Sequence, residues 1–268
     1  LRYGSVIIYM RTKVKELKRI ARGNLQGHFL TFMRVMIFCG LITSLLEMPF
    51  SMMTNETPFS TPNIIYYVAT TIIGIASVVL TAGQYRLHLR LARTGEMHLS
   101  EVFMPLRFHS NQFILTEFLL FGISILTLIP TFGGIYLIYT SPNTENYLLA
   151  LLGFIISFVL DIYVSLNFDL VYYAMIDDEE LSLLQALTYT MKMIRTHKRR
   201  YLYMQISFFG MMLLGVLSFG IGLLWIQPYM VQSVTVFYLD VKGELPEVLE
   251  NRRKNGPTPE PVVFNEYV

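Results

Sequence analysis

Six apolar stretches recur along the chain, each long enough to cross a bilayer, and the segments between them alternate sharply in basic charge. Crossing roughly 30 Å of hydrocarbon takes about 20 mostly apolar residues in a helix. Windows at 29–50, 64–84, 112–129, 147–176, 201–219 and 223–239 meet that condition. Loops retained in the cytoplasm keep Lys and Arg, whereas exported loops lose them. All of the 21 basic residues except Arg34 fall before the first window, between the second and third, between the fourth and fifth, or after the sixth. The segments at 51–63, 139–146 and 220–222 contain none. The pattern predicts an all-α polytopic protein of the cell membrane, a bundle of about six transmembrane helices with both termini cytoplasmic.

Composition agrees with that solvent: 53% of the residues are hydrophobic and only 15% charged, with a mean hydropathy of +0.48. The net charge of +2 therefore reflects a basic collar facing anionic headgroups, and the expected partner is the lipid bilayer, not nucleic acid. Cys39, the single cysteine, lies in the first window, so no internal disulfide can form. The first 28 residues are basic and broken by polar positions, unlike a cleavable signal peptide. The chain opens on Leu1 and Met10 would serve as an ordinary start, so residues 1–9 are expected to be an upstream extension.

Two segments flank the membrane domain of residues 29–240, and a third lies between its fourth and fifth windows. Residues 1–28 form a basic segment in which VKELKRIARGNLQG predicts a short helix ending near Gly23 or Gly27. From Asp178 onward, acids lead and bases close a stretch with Leu181, Leu184, Leu187, Met191 and Ile194 at three- and four-residue steps. That spacing predicts a cytoplasmic amphipathic helix, either in the interface or docked on the bundle. The run Asp177 to Glu180 then stabilises its N-terminus. Residues 241–268, with Pro246, Pro257, Pro259 and Pro261, predict an irregular tail.

Catalytic and metal motifs are absent from the sequence: no phosphate loop, no His-Glu-x-x-His and no Gly-x-Ser-x-Gly. His28, His88, His98, His109 and His197 fall in or beside the basic loops, without helix-borne ligand spacing. No enzyme activity, metal or cofactor is expected. Pro-Thr-Phe-Gly-Gly at 130–134 predicts the end of the third span.

Charges inside the windows demand a reason, since an ionisable group in hydrocarbon costs at least about 2.5 kcal/mol. Arg34, Glu117 and Asp161 come to similar depths, and Asp169 lies nearer an edge. They form a candidate intramembrane polar site, with Arg34 expected to meet Glu117, Asp161 or both. Such a pair either orients helices, with snorkelling of Arg34 as the alternative, or leaves a carboxylate for a proton or cation.

The stretch SFGIGLLWIQPY at 218–229 predicts a hairpin turn at Gly220 and Gly222, an interfacial Trp225, and a last helix kinked at Pro228. With Ala186, His197, Lys198, Ile206, Ser207, Phe208, Gly220, Ile221, Gly222, Trp225, Pro228, Tyr229, Phe237 and Tyr238, this region resembles the bacterial integral membrane family designated domain of unknown function 975. Segments VKELKRIARGNLQG and GQYRLHLRLARTGEMHLSEVF resemble it as well. Departures are Thr196 for a Gly, Ser218 for a Thr, and Thr131 after Pro130. The stretch from Thr131 into the fourth window is longer than the family pattern, so Asp161 has no counterpart there. The resemblance implies a bacterial membrane protein and carries no enzymatic activity with it. Two classes of function follow: transport or handling of a membrane-associated amphiphile, peptide or ion, or a non-catalytic accessory subunit bound to a membrane-protein partner or a second copy.

Overall fold

A computed structural model describes residues 12–57, 60–107 and 110–255; residues 1–9, His109 and the prolines beyond 255 lie outside it. Its elements are α1 (Val14–Leu25), α2 (Phe29–Ser51), α3 (Thr61–Thr94), a 3₁₀ turn (Leu99–Phe103), α4 (Met104–Arg107), α5 (Ser110–Thr127) and α6 (Ile129–Thr140). The order continues with α7 (Thr144–Phe168), α8 (Val171–Asp177), α9 (Leu183–Ile194), α10 (Lys198–Leu217), α11 (Leu223–Lys242) and α12 (Leu245–Asn255). A helix covers each of the six apolar windows. Five stretches are long and apolar enough to cross a membrane: α2, α3, α5, α7 with α8, and α10. The chain is therefore a multi-pass membrane protein.

The core is gathered at one end, here called the packed end. There the second half of α3, all of α8, the first half of α10 and most of α11 close around Leu87, Leu91, Tyr173, Tyr201, Phe208, Phe237 and Leu239. Beyond it, the far halves of α2, α3, α5, α6 and α7 expose apolar side chains such as Leu45, Ile72 and Phe154. Helices apolar on every side need an apolar surrounding, and a bilayer supplies it.

α11 differs from the others. Gln232, Ser233 and Thr235 are fully buried beside Val236 to Leu239, so protein surrounds it where lipid surrounds the rest, and it is the one window that is not a span by length and hydropathy. His88 on α3 contacts Gln232 on α11 at 2.6 Å, which sets the two helices level. From there, at 1.5 Å per residue, α3 runs about 40 Å to Thr61 while α11 runs only about 13 Å to Leu223. The α10–α11 hairpin thus ends well short of the far ends of its neighbours. Its turn uses Gly220 at φ +84° and Phe219 at φ 54°, and Phe219 is 98% exposed. Trp225 consequently lies well below the tips of α2 and α3.

Several local expectations need correction. The third span does end here, α5 stopping at Thr127, but Pro130 sits in the first turn of α6, where a missing N–H costs nothing, so Pro-Thr-Phe-Gly-Gly also starts a further helix. α6 then packs tightly on α7, because a Cβ on Gly134 would fall 2.5 Å from Ala150 Cα and one on Gly153 2.4 Å from the Pro130 carbonyl oxygen. Pro246 likewise occupies the start of α12, so the tail is helical to Asn255. α9 begins at a Ser182–Gln185 capping box, which leaves Asp177 to Glu180 outside the helix. Leu187 and Ile194 are buried, whereas Leu184 and Met191 are exposed. α1 ends as expected, with Gly27 at φ +80° following it.

The acids before α9 hold the packed end together. Asp177 accepts from Arg93 at 2.6 Å, from Lys242 at 2.5 Å and from the Tyr238 hydroxyl at 2.8 Å, and Glu244 joins Arg93 and Lys242. Glu101 takes Arg86 at 2.7 Å and also Arg90, while Arg86 reaches Glu179. Arg200 pairs with Asp240, which also accepts from Thr12. Much of the basic collar therefore binds protein carboxylates instead of facing headgroups. The 3₁₀ turn can bring Glu101 this close only because α3 carries Gly83, where a Cβ would stand 1.9 Å from the Val102 carbonyl oxygen.

Two outcomes follow. Burial opposes ionisation of Glu101, but the Arg86 and Arg90 guanidiniums outweigh it and hold the carboxyl below its ordinary value. A depressed carboxyl contributes stability above the unfolded value near pH 4 and loses it as pH falls through the lower folded value. Thermal unfolding of Glu101→Gln is expected to cost about 2 kcal/mol at neutral pH, with a shallower acid dependence than the parent chain. For the hairpin, Phe219→Cys in a Cys39→Ser background should resist a membrane-impermeant maleimide under conditions that label Glu56→Cys. Equal labelling would mean that the turn reaches the same surface as residue 56.

Candidate functional site

Arg34 does not pair with the acids predicted to meet it. Arg34 is exposed and makes no ion pair among the described residues. Glu117 accepts from the Tyr172 hydroxyl, and Asp161 from the Thr127 hydroxyl. Asp169 accepts from Ser165 and, at 2.9 Å, from Tyr201, whose oxygen also receives Gln205. Each carboxylate is satisfied by a neutral donor on a neighbouring helix or its own, so the Arg34 pairing is absent. Helix rotation decides this: Thr127 and Tyr172 reach inward beside the acids, whereas Arg34 points away from the core.

The structure assembles a different polar site. Ser77, Thr81, Gln84 and His88 recur at steps of four, three and four residues and so share one face of α3. α2 brings Cys39, Gly40 and Thr43 against that face, and α11 brings Gln227 and Pro228. Together they line a cavity of about 240 Å³. No Asp, Glu, Lys or Arg lines it.

Its floor is rigid. The His88 ring stacks on Phe32 with centroids 3.9 Å apart, and both are 3% exposed. With Gln232 Oε1 as acceptor, His88 Nδ1 carries the proton; Gln232 Nε2 is then a buried amide nitrogen without a partner. Behind the floor, Tyr85, Tyr173 and Tyr238 stack at 5.0 and 5.4 Å, leading to Asp177. The cavity is therefore closed toward the packed end.

The walls present unused hydrogen-bonding capacity. Thr43 and Ser77 donate back to carbonyls of their own helices, which leaves oxygen lone pairs as acceptors. Gln84 bonds the Cys39 thiol. Pro228 removes the N–H that would satisfy the Leu224 carbonyl, and the Gln227 side-chain amide, which lines the cavity, has no hydrogen-bond partner among the described residues. Donors and acceptors without formal charge suit a neutral hydroxyl- or amide-bearing group. They offer little to a bare ion, whose desolvation would go uncompensated.

His88 was predicted to lie in or beside a basic loop; it lies instead within α3. The signal that could have found it was the uncharged stripe of Ser77, Thr81, Gln84 and His88, which a search for charges passes over. Among the described residues no group of three His, Cys, Asp or Glu side chains stands together as a metal site would require.

No curated protein and no solved structure matches the chain. A family profile, "Protein of unknown function (DUF975)", matches residues 10–244, a range that takes in both walls of the cavity and the hairpin. The chain belongs to that family.

Proposed function

We propose that the protein binds and handles a membrane-associated amphiphile, receiving its uncharged polar group in the cavity between α2, α3 and α11. The observation that carries this reading is an uncharged, hydrogen-bonding cavity set among apolar helices, with Ser77, Thr81, Gln84 and Gln227 in its lining. α11 starts at Leu223, about one turn beyond Gln227. The wall it supplies therefore stops there, and a ligand can enter from the bilayer without crossing a charged layer. The stacked Phe32 and His88 favour a holding site over a pore. On this reading the protein lies in the cell membrane with both termini cytoplasmic, and it binds without catalysing a reaction.

An accessory role is favoured by one other observation. The far half of α7 exposes Leu148, Leu152, Phe154 and Phe158 on several faces, more apolar surface than its hairpin with α6 covers. A membrane-protein partner or a second copy would suit that surface.

Gly40→Met distinguishes the two. Gly40 lines the cavity with nothing within 4 Å of an added Cβ, so a longer side chain there fills space without a clash. Mass spectrometry of the full chain purified in mild detergent is expected to find an amphiphile at near-unit stoichiometry. Gly40→Met should lose it while keeping the parent thermal midpoint. A stoichiometric protein partner, with no ligand lost on filling the cavity, would support the accessory reading instead.

A further inference from the structure

A second cavity, of about 770 Å³, lies between α1 and α10 on the other side of α11. Tyr229 lines this one, and it stands about 150° around α11 from the residues lining the first, at 100° per residue. One edge is cationic: Lys13, Lys15, Lys18, Arg19 and Arg22 face it, with Glu16 the sole acid in the lining. Arg19 engages Glu16 at 2.5 Å, so four cations remain uncompensated.

The opposite edge is apolar and aromatic, formed by Tyr203, Met211 and Tyr229, and the exposed Leu214, three residues beyond Met211, extends the same face of α10. The back wall is fixed. Lys18 Nζ donates to Ser207 Oγ at 3.1 Å and lies 3.9 Å over the Phe208 ring, while Arg22 stands 5.4 Å from the Tyr229 ring. Burial, and then the neighbouring Arg22, pull the Lys18 ammonium below its ordinary value; an anion in the groove would reverse that.

We propose that this groove holds an acidic phospholipid, its headgroup phosphate among Lys15, Lys18 and Arg22 and an acyl chain along Tyr203 and Met211. The site sits where basic and apolar surfaces meet, the arrangement a phospholipid itself presents in complement. Residues 1–11 are a poorer occupant, because they carry Arg2 and Arg11 and no acid, adding like charge to a cationic groove.

The test uses the full chain in nanodiscs of phosphatidylcholine with one-fifth phosphatidylglycerol, moved into detergent and read by native mass spectrometry. Retained phosphatidylglycerol is expected in preference to phosphatidylcholine, and in 0.5 M salt, where a merely diffuse surface attraction is screened within about 4 Å. Lys15→Gln with Arg22→Gln, both on the exposed side of α1, should lower retention at least about tenfold with the thermal midpoint kept. Equal retention of both lipids, or no loss in the double variant, would overturn the proposal. So would displacement of the lipid by millimolar inorganic phosphate, which would identify a soluble anion as the ligand. A photo-reactive phenylalanine replacing Tyr203 should crosslink to lipid; crosslinking to residues 1–11 would assign the groove to the chain itself.

Discussion

One carboxylate sets the register of the packed end. Asp177, at the end of α8, receives Arg93 from α3 and Lys242 and Tyr238 from α11. Three elements far apart in sequence thus meet at one level, and the side chains above that level are placed by helical rise alone. His88 consequently faces Gln232, and Tyr85 falls on Tyr173. Glu101 performs a similar task for the 3₁₀ turn, and Asp240 for the start of α1. Such partly buried pairs specify geometry more than they add net stability, since desolvation offsets much of their attraction.

Anchoring at one end explains the shape of the other. With their registers fixed at the packed end, α2, α3 and α5 to α7 extend well beyond the α10–α11 hairpin, where they pack only on one another and leave much apolar surface exposed. The hairpin is short because α11 spends most of its length inside the packed end, where Gln232, Ser233 and Thr235 are buried. The charge-free cavity arises at the step between the two regimes, bounded below by Phe32 and His88 and on one side by the first turns of α11.

The sequence displayed some of this plainly. Apolar windows and alternating basic segments identified the helices, because every backbone group in hydrocarbon must be bonded within its own helix. The turn at Gly220 was legible from glycine's access to positive φ, and α1 from its spacing and Gly27. Proline was less informative: at Pro130 and Pro246 it opens a helix, at Pro228 it lies inside one, and only the neighbouring hydrogen bonds distinguish these cases. The rare charges Arg34, Glu117 and Asp161 stand out in the apolar windows, yet each acid is bonded by a hydroxyl that sequence spacing does not bring near it.

Membership of a multi-pass helical membrane family was thus determined by the sequence by itself, because hydropathy and helix length are local quantities. Tertiary structure alone decided that the basic residues Arg86, Arg93 and Lys242 bind carboxylates, that the last hairpin stops short, and that an uncharged stripe on α3 becomes the wall of a cavity. Those outcomes depend on rotation and relative height of helices, which are set by long-range pairs such as Arg93–Asp177 and His88–Gln232 and have no signature in any single segment.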